Sequence, residues 1–107
     1  MSPSAADGDL TVTDVPSAHR YEARTADSLA GFASYLRGDS VIAFVHTEVQ
    51  DGYEGRGVGS ALARAALDDA RARGLGVLAI CPFVDGWISK HPEYEDLRYT
   101  PESKVAD

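Results

Sequence analysis

Three side chains in this sequence have the types and spacing to move a proton or an acyl group: His46, Glu48 and Cys81. His46 and Glu48 stand two residues apart in an apolar, β-branched run, so strand alternation puts both on one face, with Ile42 and Phe44. An imidazole and a carboxylate so placed can relieve an attacking amine of its proton. Cys81 directly precedes Pro82, a residue favoured at the first position of a helix. A thiol at a helix start is biased toward thiolate, and a Cys–His pair can carry an acyl group covalently. Each of these residues also has a plain reading: a hydrogen-bonded histidine, a solvated strand-end carboxylate, a small buried hydrophobe.

Just after the strand comes Gly55-Arg56-Gly57-Val58-Gly59-Ser60. The glycines let the backbone turn with positive φ and approach a ligand closely. The first turn of the helix that follows offers unpaired N–H groups at the positive end of the dipole. Together these make a site for an anion, most often phosphate; a tight turn that merely starts a helix would use the same residues. Arg56, the cation within the loop, either pairs with that anion or stays solvated. Two well-known phosphate loops are excluded. Neither Gly57 nor Gly59 is followed by Lys-Ser/Thr, and Gly57 and Gly59 are separated by one residue where a dinucleotide fingerprint has two.

The elements that must position these groups follow from periodicity. Residues 10–15 and 20–25 alternate as short strands, residues 29–37 as a weaker one with Gly31 as a bulge, and residues 41–49 as the strand before the loop. Short links imply an antiparallel meander. A helix over 58–73 carries an apolar stripe through Val58, Ala61, Leu62, Ala65 and Ala66, an Asp69/Arg73 pair at i,i+4, and Gly74 as its C-terminal stop. Residues 75–81 form a continuous apolar strand of the kind covered on both faces. Strand, helix, strand predicts a parallel pair with a right-handed crossover. A second helix from Pro82 buries Phe83, Val84, Trp87 and Ile88 and stops at His91-Pro92. Residues 1–9 and 100–107 read as tails around one domain over 10–99.

The loop, read with His46-Thr47-Glu48-Val49 before it, Cys81-Pro82-Phe83-Val84 and His91-Pro92-Glu93-Tyr94, resembles a small, short-chain family of GNAT N-acetyltransferases. The resemblance covers residues 10 to 99 and implies an α/β minimal GNAT fold. That fold is a mixed sheet, an antiparallel meander and then one parallel strand pair, with a central helix and a short C-terminal helix. It implies acetyl-CoA (or coenzyme A) held by Val49, Gly55, Arg56, Gly57, Val58, Gly59 and Ser60, with the Val49 N–H as an oxyanion donor. It implies catalysis through Cys81, His46 and Glu48, with Cys81 facing His46 across splayed strands, and an amine acceptor, either a small molecule or a protein lysine. Lys90 and His91 either approach the cofactor's phosphates or stay solvated. The chain departs from the larger enzymes of this class in three places. Glu54 stands where many have Gln or Arg. No tyrosine matches the one that protonates the departing thiolate, Ile88 lying near that register. No helices precede the meander to shape an acceptor pocket. Those departures keep open a non-catalytic acyl-CoA-binding module or sensor; hydrolysis through Cys81 is a third reading.

Composition bounds the rest. At 107 residues and 44% hydrophobic content the chain is one globular domain, large enough for a single core. A formal charge of −7 argues against nucleic acid as a partner and suits a basic acceptor, although it also serves simple solubility. One cysteine permits no internal disulfide, which points to a reducing cytoplasm. No membrane span, leader peptide or metal site is expected. The oligomeric state is open, and a monomer is compatible with the size.

Overall fold

A computed structural model describes residues 10–26 and 28–99; the expected tails over 1–9 and 100–107 lie outside the described residues. Five strands form one sheet in sequence order: β1 (Thr11–Val15), β2 (Arg20–Arg24), β3 (Leu29–Arg37), β4 (Val41–Val49) and β5 (Gly76–Ala79). The first four pair antiparallel, and β4 pairs with β5 in parallel. Helix α1 (Val58–Arg73) makes the crossover, and α2 (Pro82–Ser89) follows β5. This is the mixed α/β sheet expected from the pattern of strand, helix and strand.

Both helices cover one face of the sheet. Tyr21, Ala23, Ala33, Ile42, Phe44 and Val77 point into that layer and meet Leu62, Ala63, Ala66, Leu67 and Ala70 of α1. The buried stripe of α1 is therefore rotated toward Ala63, Leu67 and Ala70 and away from Ala61 and Ala65, which are half-buried. Small alanines on this stripe bring the helix axis close to the sheet. The other face has no helix over it among the described residues, and leaves Leu36, Val45, Leu78 and Ile80 exposed.

This one-sided covering changes the expected picture of β5. The strand is shorter than 75–81 and is buried on one face only, with Val77 inward and Leu78 outward. Ile80 N–H turns back onto the Leu78 carbonyl at 3.2 Å, which ends the strand. Gly31 is not itself the bulge of β3. The irregularity falls at Ala30, and a side chain at Gly31 would sit 2.6 Å from the Glu48 carbonyl oxygen. Glycine is required there because β4 and the start of α1 come too close for a Cβ.

A second irregularity matters more. Ser34 pairs with His46, but Tyr35 pairs with Phe44, so β4 carries one extra residue at Val45. A bulge of this kind reverses which side chains face the core. Ile42 and Phe44 are fully buried, whereas His46 and Glu48 are exposed on the uncovered face. The expected shared face for these four residues is corrected here: the alternation holds on each side of Val45 but not across it.

After α2 the chain forms a 3-10 segment, Pro92–Leu97, that buries Tyr94 and Leu97. This is the physical job of His91-Pro92-Glu93-Tyr94: the Tyr94 hydroxyl donates to Asp68 on α1 at 2.7 Å, closing the C-terminal segment against that helix. Arg98 then makes a parallel bridge to Val77.

Candidate active site

Between β4 and α1 the chain needs a sharp reversal, and Gly52, Gly55 and Gly57 supply it with φ of 88°, 78° and 78°. A Cβ at any of the three would meet nothing within 4 Å, so positive φ rather than crowding explains these glycines. Gly57 is the N-cap of α1, and no side chain caps that end or places an acid in the first turn. The helix start is thus left with bare amides at Val58, Gly59 and Ser60. Gly59 has a different reason. A Cβ there would lie 2.7 Å from the Phe83 ring, so its absence lets α2 close onto α1.

These residues line a cleft of about 330 Å³ bounded by Val49, Tyr53, Glu54, Gly55, Gly57, Val58, Gly59, Ser60 and Phe83. Of the residues expected to hold a cofactor, only Arg56 is outside this lining; its guanidinium lies 5.7 Å from the Tyr53 ring centre. Glu54 is turned onto its own loop, where it accepts from the Gly52 N–H at 3.0 Å. The Gln50 N–H donates to the Ala30 carbonyl at 2.8 Å, which makes Gly31 and Val49 a pair that exchanges no hydrogen bonds. The Val49 amide is therefore directed away from β3, toward the side where β4 and β5 part.

The strands part after Phe44. The paired register ends at Phe44 with Ala79, and one further bond runs from the Cys81 N–H to the Phe44 carbonyl at 2.8 Å. Beyond it β4 and β5 are no longer paired, which leaves a gap between them where α2 begins.

On the helix-covered face of this gap sits Cys81, 3% exposed, with its thiol donating to the Thr47 hydroxyl at 3.4 Å. On the uncovered face, the His46 Nε2–H donates to Glu48 at 3.2 Å, with both side chains about half exposed. Alternation keeps His46 and Glu48 together, the bulge at Val45 turns both away from the face of Cys81, and the expected Cys81–His46 pairing is not formed. Around the His46–Glu48 pair lie the Phe32 ring, 6.0 Å from the imidazole, and Arg20, whose guanidinium covers Phe32 at 4.4 Å. Glu22 is held between Arg20 and Arg24; hydrogen bonding to Arg20 outweighs burial and keeps its carboxyl below the usual range.

A profile of GCN5-related N-acetyltransferases matches residues 20–97. The chain belongs to this family. The solution structure of a GCN5-like protein from Staphylococcus aureus superposes with a TM-score of 0.65 at 25% identity, covering 85% of this chain and 89% of that one. Protein NATD1 of Gallus gallus, Mus musculus and Homo sapiens is 34% identical over 55 residues, 51% of this chain. The chain spans about half the length of these relatives, 49–50%.

Two cleft residues escaped sequence reasoning. Tyr53 shares a hydrogen bond with the Thr25 hydroxyl at 3.3 Å, and the Thr25 and Ser28 hydroxyls draw its phenol below the usual value. Its position two residues before Gly55 was the available signal. Phe83, expected in the core, is 42% exposed because it faces the cleft across Gly59.

Proposed function

We propose that this protein transfers an acetyl group from acetyl-CoA to a primary amine, on the uncovered face of the sheet. The observation that carries the reading is the gap between β4 and β5, with bare helix amides on one side of it and an exposed imidazole–carboxylate pair on the other. The residues fit the cofactor: uncapped N–H groups at Val58, Gly59 and Ser60, with Arg56 beside them, suit a pyrophosphate. Bound acetyl-CoA would supply the acyl group as an activated thioester.

The chain's own groups then have separable roles. The Val49 N–H donates toward the acyl oxygen as negative charge develops there. Glu48, through His46 or directly, takes the proton of the ammonium so that a neutral amine attacks. His46 orients Glu48 and relays the proton to water. Cys81 packs at the back of the gap, and among the described residues its thiol bonds a hydroxyl, that of Thr47, and no base. Direct attack by the amine is therefore the favoured route over an acetyl-cysteine. The acceptor is an amine that reaches an open surface, since the His46–Glu48 pair stands exposed on the uncovered face; a small amine or a lysine side chain meets that condition. A single unpaired cysteine supports a reducing compartment such as the cytoplasm.

Mass-detected acetylation of an amine panel tests the reading. Turnover with amines, and no acetyl adduct on Cys81 after incubation with acetyl-CoA alone, is the expected result. Coenzyme A binding without transfer to any amine would leave the sensor reading in its place. A labelled Cys81 would install the covalent route.

A further inference from the structure

Carboxylates outnumber cations 17 to 10 in this chain, so a cation has no shortage of partners. Six arginines take one: Arg20, Arg24, Arg37, Arg71, Arg73 and Arg98 all form ion pairs. Among the described residues three cations make no ion pair: Arg56, Arg64 and Lys90. Arg56 lies in the loop before α1, Arg64 in the N-terminal half of α1, and Lys90 at the C-terminal end of α2. Leaving cations unpaired there, in a protein of net charge −7, is the arrangement expected of a surface that meets a polyanion.

Contacts around Trp87 join the two helices beside Arg64. Trp87 Nε1 donates to Ser60 Oγ at 3.1 Å, joining α2 to the helix start that carries the bare amides. Arg64, one turn further along α1, lies 5.3 Å from the Trp87 ring centre, and its bond to the Tyr94 hydroxyl, at 3.4 Å, is long. His91 stacks on the same indole at 3.7 Å. Its Nδ1–H donates to the Trp87 carbonyl at 2.7 Å. Lys90 is the residue before it, exposed at the end of α2.

Building on the proposed cofactor, we infer that Arg64 and Lys90 hold a second anion, the 3′-phosphate monoester of the cofactor's adenosine, with His91 beside them. Arg64 is about 6 Å along the helix from Ser60, the rise of four residues, and a ribose spans a step of that length. A guanidinium offers paired donors to a phosphate dianion, and an ammonium adds a point charge. The Trp87 ring, fixed by Ser60 and His91, keeps the Arg64 stem in place. The site would therefore distinguish coenzyme A from its dephosphorylated form, which shares every other group.

Titration calorimetry of the full chain with coenzyme A and with 3′-dephospho-coenzyme A tests this. The wild-type protein should bind coenzyme A about tenfold more tightly, in line with the strength of hydrogen bonds to charged groups. The Arg64→Gln/Lys90→Gln double variant, shown folded by circular dichroism, should lose that preference while keeping its affinity for dephospho-coenzyme A. Equal binding of the two ligands by the wild type overturns the subsite and leaves the cofactor reading standing, as does a double variant that weakens both ligands by the same factor. Failure of both ligands to bind overturns the subsite and the cofactor reading together.

Discussion

The two ends of α1 use their charges in opposite ways. Toward the C-terminal end the helix's own charged residues, Asp68, Asp69, Arg71 and Arg73, are tied to the sheet, to the closing segment or to one another. The Tyr21 hydroxyl donates to Asp69 at 2.6 Å, and Arg73 pairs with Asp69 at 2.8 Å. Asp14 of β1 accepts from the Tyr35 hydroxyl and pairs with Arg37 at 2.9 Å. Arg71 holds Asp96 at 2.9 Å. At the N-terminal end the helix amides have no capping side chain, and Arg56 and Arg64 have no carboxylate partner among the described residues. One end holds helix to sheet; the other keeps its donors available for something that arrives. Substitutions at the first should cost stability and leave binding alone, and substitutions at the second should do the reverse.

The sharpest attempt to break this contrast is Gly57→Asp. The residue sits at φ 78°, and the new carboxylate would stand at the helix start. Coenzyme A affinity should fall about 100-fold or more, with a smaller loss of stability from the strained backbone. Unchanged affinity by calorimetry would remove the phosphate role from the loop. Next in size is Glu48→Gln, which keeps the shape of the exposed pair and removes its basicity. Turnover should drop about 100-fold while coenzyme A affinity is retained; a full-rate variant would shift the base to another group.

At the opposite end, Asp69→Ala leaves the Tyr21 hydroxyl buried without its acceptor. Chemical denaturation should show a loss of about 2 kcal/mol, and coenzyme A affinity should not move; a shift in affinity would break the separation of the two ends. The same clasp predicts a smaller effect at alkaline pH. Burial, and then the hydrogen bond to Asp14, push the Tyr35 phenol up to about 12. A phenol raised on folding favours the folded state fully below its unfolded value near 10. That contribution is lost as pH rises from there through 12. Tyr35→Phe should flatten this alkaline fall in stability, measured as midpoint against pH; an identical fall in the variant would assign it elsewhere.

At acid pH Asp69 works in the other direction. Burial raises its carboxyl, but the Tyr21 hydroxyl and Arg73 outweigh this and hold it low. Its contribution is present above the ordinary carboxylate value and disappears as pH falls through the lowered one.

What the sequence determined by itself was local in origin. The turn at Gly55 and Gly57 is legible in the chain itself, because positive φ and an uncapped helix start are properties of neighbouring residues. The meander, the crossover helix and the parallel strand follow from periodicities of two and 3.6 within short windows. The Cys81-Pro82 helix start is likewise a dipeptide signal, and it falls where expected.

Tertiary structure decided everything that depends on a partner strand or helix. Alternation puts His46 on the side of Phe44; the extra residue at Val45 moves it to the opposite side, and only the register against Ser34 and Tyr35 reveals this. Phe83 looks like core until α2 sets it across Gly59. The unpaired state of Arg64 is also non-local, because a neighbouring acid, Asp68, was available at i+4 and instead accepts from Tyr94 at 2.7 Å. Sequence fixes which groups exist and their local backbone. Which face they share, and whether a charge is already neutralised, is set by the register and packing of segments far apart in the chain.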